Sequence, residues 1–419
     1  MKTLNSLKFI LILACIITIS ILTFIITTSC INKKATDSDT ITENIAIAEK
    51  QYELQTEIIE STGSVLIPRT INNEGNIVYV PIDDWTSGFF AGNIWYTYKL
   101  SNNKKWLPLA EKYTERLDSI KYFKDHHDVG FMIGCSYLNG YRLTGKTEYK
   151  DVIIQSAKSL STRFRPNAGV LQSWNIDKGW QSTRGWKCPV IIDNMMNLEL
   201  LFEATILSGD SSFYQIAISH ANKTLANHFR ENNSSYHVVD YDPQTGTVRS
   251  KETAQGFSNE SSWARGQAWG LYGFTVCYRY TKNSIYLEQA IKIYDYIFTH
   301  KNLPTDLVPY WDYNAQNIPN EPRDASAAAI TASALYELHT YLKDSKYLTT
   351  ADKIIQSLSS LEYRAEVGDN GNFILKHSVG SIPHKQEVDV PLNYADYYFL
   401  EALVRKTNVI SSCKLMANK

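Results

Sequence analysis

The 419-residue chain has almost no net charge: 42 Lys+Arg stand against 43 Asp+Glu, a formal −1. That balance excludes a protein built to hold nucleic acid through its overall field, which needs a surplus of cations. An acidic ligand must instead be held by a local constellation. Cysteine is scarce, at six residues. Cys135, Cys188, Cys277 and Cys413 show no spacing of a metal site or redox pair and read as free thiols. No HExxH or comparable set completes the run His126-His127-Asp128, so a metal centre has too few ligands. With 44% hydrophobic and 20% charged residues, the chain is neither disordered nor collagen-like.

What is abundant is aromatic. The 27 Tyr, 15 Phe and 9 Trp make 12% of the chain, a composition suited to flat, amphipathic ligands such as sugars. The N-terminus reads as an address. Lys2 and Lys8 precede an apolar run from Phe9 to Ile26, then Thr27-Thr28-Ser29-Cys30. Small residues before Cys30 resemble a bacterial lipoprotein signal, with Thr27 standing where Leu is usual; plain cleavage and an uncleaved anchor are the other readings. Residues 1–29 are thus a signal and 30–42 a polar tether. An exported protein, periplasmic or lipid-anchored to the outer membrane, is expected.

A degenerate repeat sets the expected architecture. Five times a helical run ends in a polar break, followed by an aromatic and usually Ala four residues on. The pairs are Trp106/Ala110, Phe213/Ala217, Tyr286/Ala290 and Tyr347/Ala351, with Ile153 taking the place of Ala after Tyr149. Ala290, Ile293, Tyr294 and Ile297 are echoed by Ala351, Ile354, Ile355 and Leu358, one face of a helix. Between the breaks lie helices apolar on nearly every side, which must be buried. Six inner starts and six outer helices, the first outer one near Glu43–Glu60, make an all-α (α/α)6 barrel over residues 43–410, with 411–419 a tail. Tyr236–Tyr241 and Phe373–Leu375 read as β decorations. Gly140–Thr147 fits the phosphate-loop pattern, but it follows a helix rather than a strand and is one copy of the repeat's break.

Polar residues and tryptophans gather at the inner-helix starts, which converge on one mouth. A lone Asp there is ordinarily a cap. Asp193 departs from that, lying between Pro189-Val190-Ile191-Ile192 and Met195-Met196, surroundings that raise a carboxyl pKa. Asp128, on the adjacent inner helix, would raise it further. One protonated and one ionised carboxyl suit general acid/base work on a sugar. Trp85, Trp174, Trp263 and Trp269 have polar neighbours; His237, Gln255 and Arg265 add donors, and Arg265 is the natural partner of a ligand carboxylate.

These residues lie in stretches that resemble glycoside hydrolase family 88, the unsaturated glucuronyl hydrolases. They are Asp84-Trp85-Thr86-Ser87-Gly88-Phe89, His127-Asp128-Val129-Gly130-Phe131, Ile192-Asp193-Asn194-Met195-Met196-Asn197 and Trp263-Ala264-Arg265-Gly266-Gln267-Ala268-Trp269. Arg323-Asp324-Ala325-Ser326-Ala327 and Tyr394-Ala395-Asp396-Tyr397-Tyr398 complete the set. The resemblance implies an (α/α)6 barrel that removes a terminal Δ4,5-unsaturated uronic acid from oligosaccharides left by a polysaccharide lyase, without a cofactor. It implies Asp193 as general acid/base and Asp128 as its partner. It places Trp85, His127, Trp174, His237, Gln255, Trp263, Arg265 and Trp269 around the unsaturated sugar. In some relatives a Ser/Lys loop grips a sulfate on the leaving sugar; Ser378, Ser381 and Lys385 are the similar residues here. Related family 105, acting on unsaturated galacturonyl-rhamnose, and a non-catalytic glycan-binding lipoprotein are the alternatives.

Overall fold

The computed structural model describes residues 39–417, with side chains through residue 412. The signal, Cys30, residues 31–38 and the Cys413 side chain lie outside the described residues. A compact unit begins at Ile47. Its outer and inner helices alternate: α1 (residues 39–61) outer, α2 (Ser87–Ser101) inner, α3 (Trp106–Glu115) outer. A broken inner helix follows, made of α4 (Val129–Ile133), a π turn (Gly134–Leu138) and α5 (Asn139–Thr144). Outer α6 (Thr147–Ser161), inner α7 (Leu198–Ser208), outer α8 (Ser211–Asn227) and inner α9 (Ala264–Thr281) come next. Outer α10 (Ser284–Thr299), inner α11 (Ala325–Leu342), outer α12 (Ser345–Leu358) and inner α13 (Asn393–Ala417) complete the (α/α)6 barrel.

The two layers differ as their sequences do. Helix α11, rich in Ala and Ser, is buried continuously from Ala325 to Leu338. Helix α12 buries only Tyr347, Ala351, Ile354, Ile355 and Leu358, one stripe facing inward. Inner helices approach so closely that a Cβ on Gly88 would lie 2.2 Å from the Met132 carbonyl oxygen. The polar break has a physical basis too. Five inner helices end on a left-handed residue: Asn102, Gly145, Gly209, Lys282 and Lys343. In each copy the aromatic follows four residues later and is buried. Asp210, Asn283 and Asp344 then cap the outer helices, each accepting from a backbone N–H two residues on. Helix α5 leads into Gly145, so the phosphate-loop lookalike has no strand before it.

Two boundaries differ from expectation. Helix α1 begins at residue 39, inside the stretch read as tether. Helix α13 continues to Ala417, because nothing between 411 and 417 is Gly or Pro. The β segments are also more than decoration. A three-stranded antiparallel sheet joins β5 (Pro189–Ile191), β6 (Val238–Tyr241) and β7 (Val248–Glu252), while Phe373–Leu375 forms no strand. We number as β1 (Ile67–Ile71) and β2 (Ile77–Val80) the first hairpin, and as β3 (Phe164–Arg165) and β4 (Val170–Leu171) the second. A last hairpin pairs β8 (Ser378–Ser381) with β9 (Gln386–Val390). Several of these strands supply walls of the site described next.

Candidate active site

Asp193 sits in a 3₁₀ turn, Ile192–Asn197, between β5 and α7. The β5–β6 register pairs Ile191 with Val238, and the Ile192 N–H donates to the His237 carbonyl at 3.0 Å. This sheet pairing brings His237 Nε2 to 3.7 Å from Asp193 Oδ2. Burial pushes the Asp193 carboxyl up to about 7; Arg265 opposes the rise and Asp128 adds to it. Asp193 therefore keeps its proton up to neutral pH.

Asp128 stands at the N-terminus of α4, yet its carboxylate makes no capping hydrogen bond. It faces His127 Nε2 at 3.3 Å and His126 Nδ1 at 3.2 Å. Burial opposes its charge, but these neighbours and Arg163 outweigh that, and its pKa falls below the ordinary carboxylate value. The capping explanation does hold for Asp324, which accepts from the Ser326 N–H. Asp193 and Asp128 thus carry opposite shifts. Buried Arg163 also braces the loop holding His126 and Trp174: it donates to the carbonyls of Gln172 and Ser173 and to Asn175 Oδ1.

Both acids open onto one cavity of about 470 Å³, in the size range of small-ligand clefts. Trp85, Trp174, Gln255, Arg265 and Ser381 line it as well. His127, His237, Trp263 and Trp269 do not. They are buried directly behind the wall, Trp263 under the Arg265 guanidinium at 4.6 Å and against the His237 ring at 4.7 Å. Sequence places a residue at a helix start, but only packing decides whether it faces the cavity or the barrel interior. Arg265 is also less free than expected. Its Nη atoms serve Asp324 and the carbonyls of Val379 and Gly380, leaving Nε buried without a partner. Ser378 is fully buried in β8 and Lys385 is exposed at the turn, so of the three hairpin residues only Ser381 reaches the cavity.

Several wall residues carried no sequence signal. Arg69 projects from β1, bound to Asp84 at 2.8 Å and Glu387 at 2.5 Å. Trp180 and His384 meet at 4.8 Å between ring centroids, joining the loop after Trp174 to the β8–β9 turn. They sit in irregular segments where no period exists to reveal them. Tyr394, whose ring lies tilted against Trp85 at 5.0 Å between centroids, did lie inside one of the matched stretches.

Residues 68–409 match the profile of Glycosyl Hydrolase Family 88, an extent covering most of the chain. The chain belongs to this family. The glycoside hydrolase is 47% identical over 350 residues to an unsaturated glucuronyl hydrolase of Formosa agariphila, covering 83% of this chain and 86% of that protein. It is 34% identical to an unsaturated chondroitin disaccharide hydrolase of Streptococcus agalactiae, covering 81% and 84%. In three dimensions the enzyme resembles a crystal structure of an unsaturated glucuronyl hydrolase specific for heparin. The TM-score is 0.84 at 44% identity, over 89% of this chain and 98% of the other.

Proposed function

We propose that the enzyme removes the Δ4,5-unsaturated glucuronic acid from the non-reducing end of oligosaccharides released by a polysaccharide lyase. The observation that carries this reading is a protonated Asp193 and an ionised Asp128 opening on one aromatic-walled cavity. The substrate's C4=C5 bond is a vinyl ether conjugated to a carboxylate. A proton from Asp193 to C4 develops oxocarbenium character at C5. Ionised Asp193 then takes a proton from water as its oxygen bonds to C5, and Asp128 stabilises the positive charge. The resulting hemiketal opens and the glycosidic bond breaks as a consequence. Trp85 and Trp174 offer flat faces to the ring, and Arg265 supplies fixed positive charge near its carboxylate. The buried groups behind the wall shape this environment without touching the sugar. Ser381, hydrogen-bonded at 2.7 Å to His384, is the hairpin's contact for the leaving sugar.

The test uses unsaturated disaccharides made by lyases from chondroitin, heparin and an algal glucuronan such as ulvan. Loss of the far-ultraviolet absorbance of the conjugated enol ether reports turnover. Asp193→Asn is expected to bind the sugar while losing activity by about three orders of magnitude or more; turnover near the parent rate would refute the assignment. We also propose that Cys30 carries lipid and tethers the enzyme to a membrane, a reading supported by the small residues before it. Cys30→Ser should move the enzyme from the membrane fraction to the soluble exported fraction, and continued membrane association would count against lipidation there.

A further inference from the structure

We infer that Asn197 is a positioning residue that locks His127 as its Nε2–H tautomer, as two backbone amides lock His237, so that each catalytic carboxyl faces a neutral histidine donor. The Phe131 backbone N–H can only donate, and it donates to Asn197 Oδ1 at 3.0 Å. Asn197 Nδ2 therefore points at His127 Nδ1, 3.2 Å away. An amide NH₂ also can only donate, so Nδ1 keeps its lone pair and the ring proton resides on Nε2. That atom is buried and faces Asp128 Oδ1 at 3.3 Å. The amide can seat against α4 because residue 130 is glycine: a Cβ there would lie 2.4 Å from Asn197 Oδ1.

His237 reaches the same state by other means. Its Nδ1 accepts from the Ala254 and Gln255 N–H groups at 3.0 and 3.1 Å. Its Nε2 and Asp193 Oδ2 are both buried and otherwise unpartnered, 3.7 Å apart. A second proton on either ring would set one N–H against another. The surroundings agree. His127 lies among Asp128, His126 and Arg163; His237 lies among Asp193, Arg265, His228, His384 and Arg184. Burial outweighs Asp128 and the Asn194 side chain, which favour a charged His127, and burial with the nearby cations holds both rings neutral. Neither ring can take up the proton that Asp193 exchanges with the sugar. Each presents a fixed N–H, favouring the charge on Asp128 and on Asp193 once it has given its proton away. Asn197, which touches no substrate, acts through His127.

The catalytic consequence rests on the reading proposed above, whereas the tautomers do not. The test is ¹⁵N NMR of the full-length chain labelled at its nine histidines, with His127→Gln and His237→Gln to assign the two signals. Both rings are expected as Nε2–H forms that do not titrate between about pH 5 and about pH 8. A titrating ring, or an Nδ1–H form, overturns the inference. Asn197→Asp keeps the shape and the Phe131 bond but replaces the donor with an acceptor. It should move the His127 proton to Nδ1 and lower kcat by about tenfold or more, with KM changed less. A variant with the proton moved but kcat unchanged refutes the positioning role. Should the variant fail to fold, the spectra of the parent chain still decide the tautomers. Retained activity in Asp193→Asn with both tautomers as expected would instead refute the proposed chemistry.

Discussion

Asp193 and Asp128 show how little of a residue's role lies in its type. Both are aspartates near the start of an inner helix, yet desolvation dominates one and donors dominate the other. The pH dependence follows. In the proposed mechanism Asp193 acts first as an acid, so kcat/KM should fall as pH rises through about 7, and the limb should vanish from the residual activity of Asp193→Asn. Stability moves with it. The folded pKa is raised, so the native state holds its proton after the unfolded chain has released it, and stability drains away as pH climbs from about 4 to about 7. Asp193→Asn escapes this, gaining on the order of 4 kcal/mol over the parent across that window and no more above it. Urea denaturation of both proteins at several pH values would check the sign. The apolar run before Asp193 made its raised pKa legible in sequence; the two histidines behind the acids were legible only as polar residues near a mouth.

At the scale of elements, the repeat was readable because each copy solves the same problem. An inner helix must stop, reverse and deliver an aromatic to the start of an outer helix, and the left-handed cap followed by an Asx cap does this in few residues. Where the capping residue is glycine the conformation is free of strain; where it is lysine, as at 282 and 343, the Cβ meets the backbone. Lys343→Gly should therefore stabilise the enzyme by about 1 kcal/mol, seen as a raised denaturation midpoint with activity unchanged. The strands followed the opposite pattern. Short segments such as β5 and β8 are too brief for a period-2 signal, and the partner of β5 is distant in sequence. Their importance appears only when β6 carries His237 to Asp193 and β8 presents its carbonyls to Arg265.

Across the whole molecule, the inner helices are joined by buried charge as well as by apolar packing. Arg279 of α9 binds Glu199 of α7 and Glu337 of α11, and Arg405 of α13 binds Glu337 in turn. Glu401 of α13 accepts from Tyr96 of α2, Tyr272 of α9 and Ser333 of α11. Arg279 holds Glu199 down at about 2 despite burial. Arg279→Met would take one of two cations from each of Glu199 and Glu337, leaving Arg142 and Arg405 in place, and should destabilise the barrel by about 1.5–3 kcal/mol in chemical denaturation. That network had no sequence signature. Its members are spread from residue 96 to 405, and each alone resembles an ordinary surface charge or core tyrosine.

The sequence by itself determined the layered all-α barrel, because helix periodicity, small inner residues and turn chemistry are local properties written several times over. It also determined which motifs carry the two acids. The tertiary structure alone decided which of the neighbouring side chains face the cavity. Trp85, Trp174, Gln255 and Arg265 face it; His127, His237, Trp263 and Trp269 stand behind. It also supplied Arg69 from strand β1, and Trp180 and His384 from the segments between the numbered elements. The reason is geometric: a helix start points its successive side chains about 100° apart, so one position exchanges cavity for core there, while Trp174, His237 and Gln255 are placed by loops and strand pairing between distant segments.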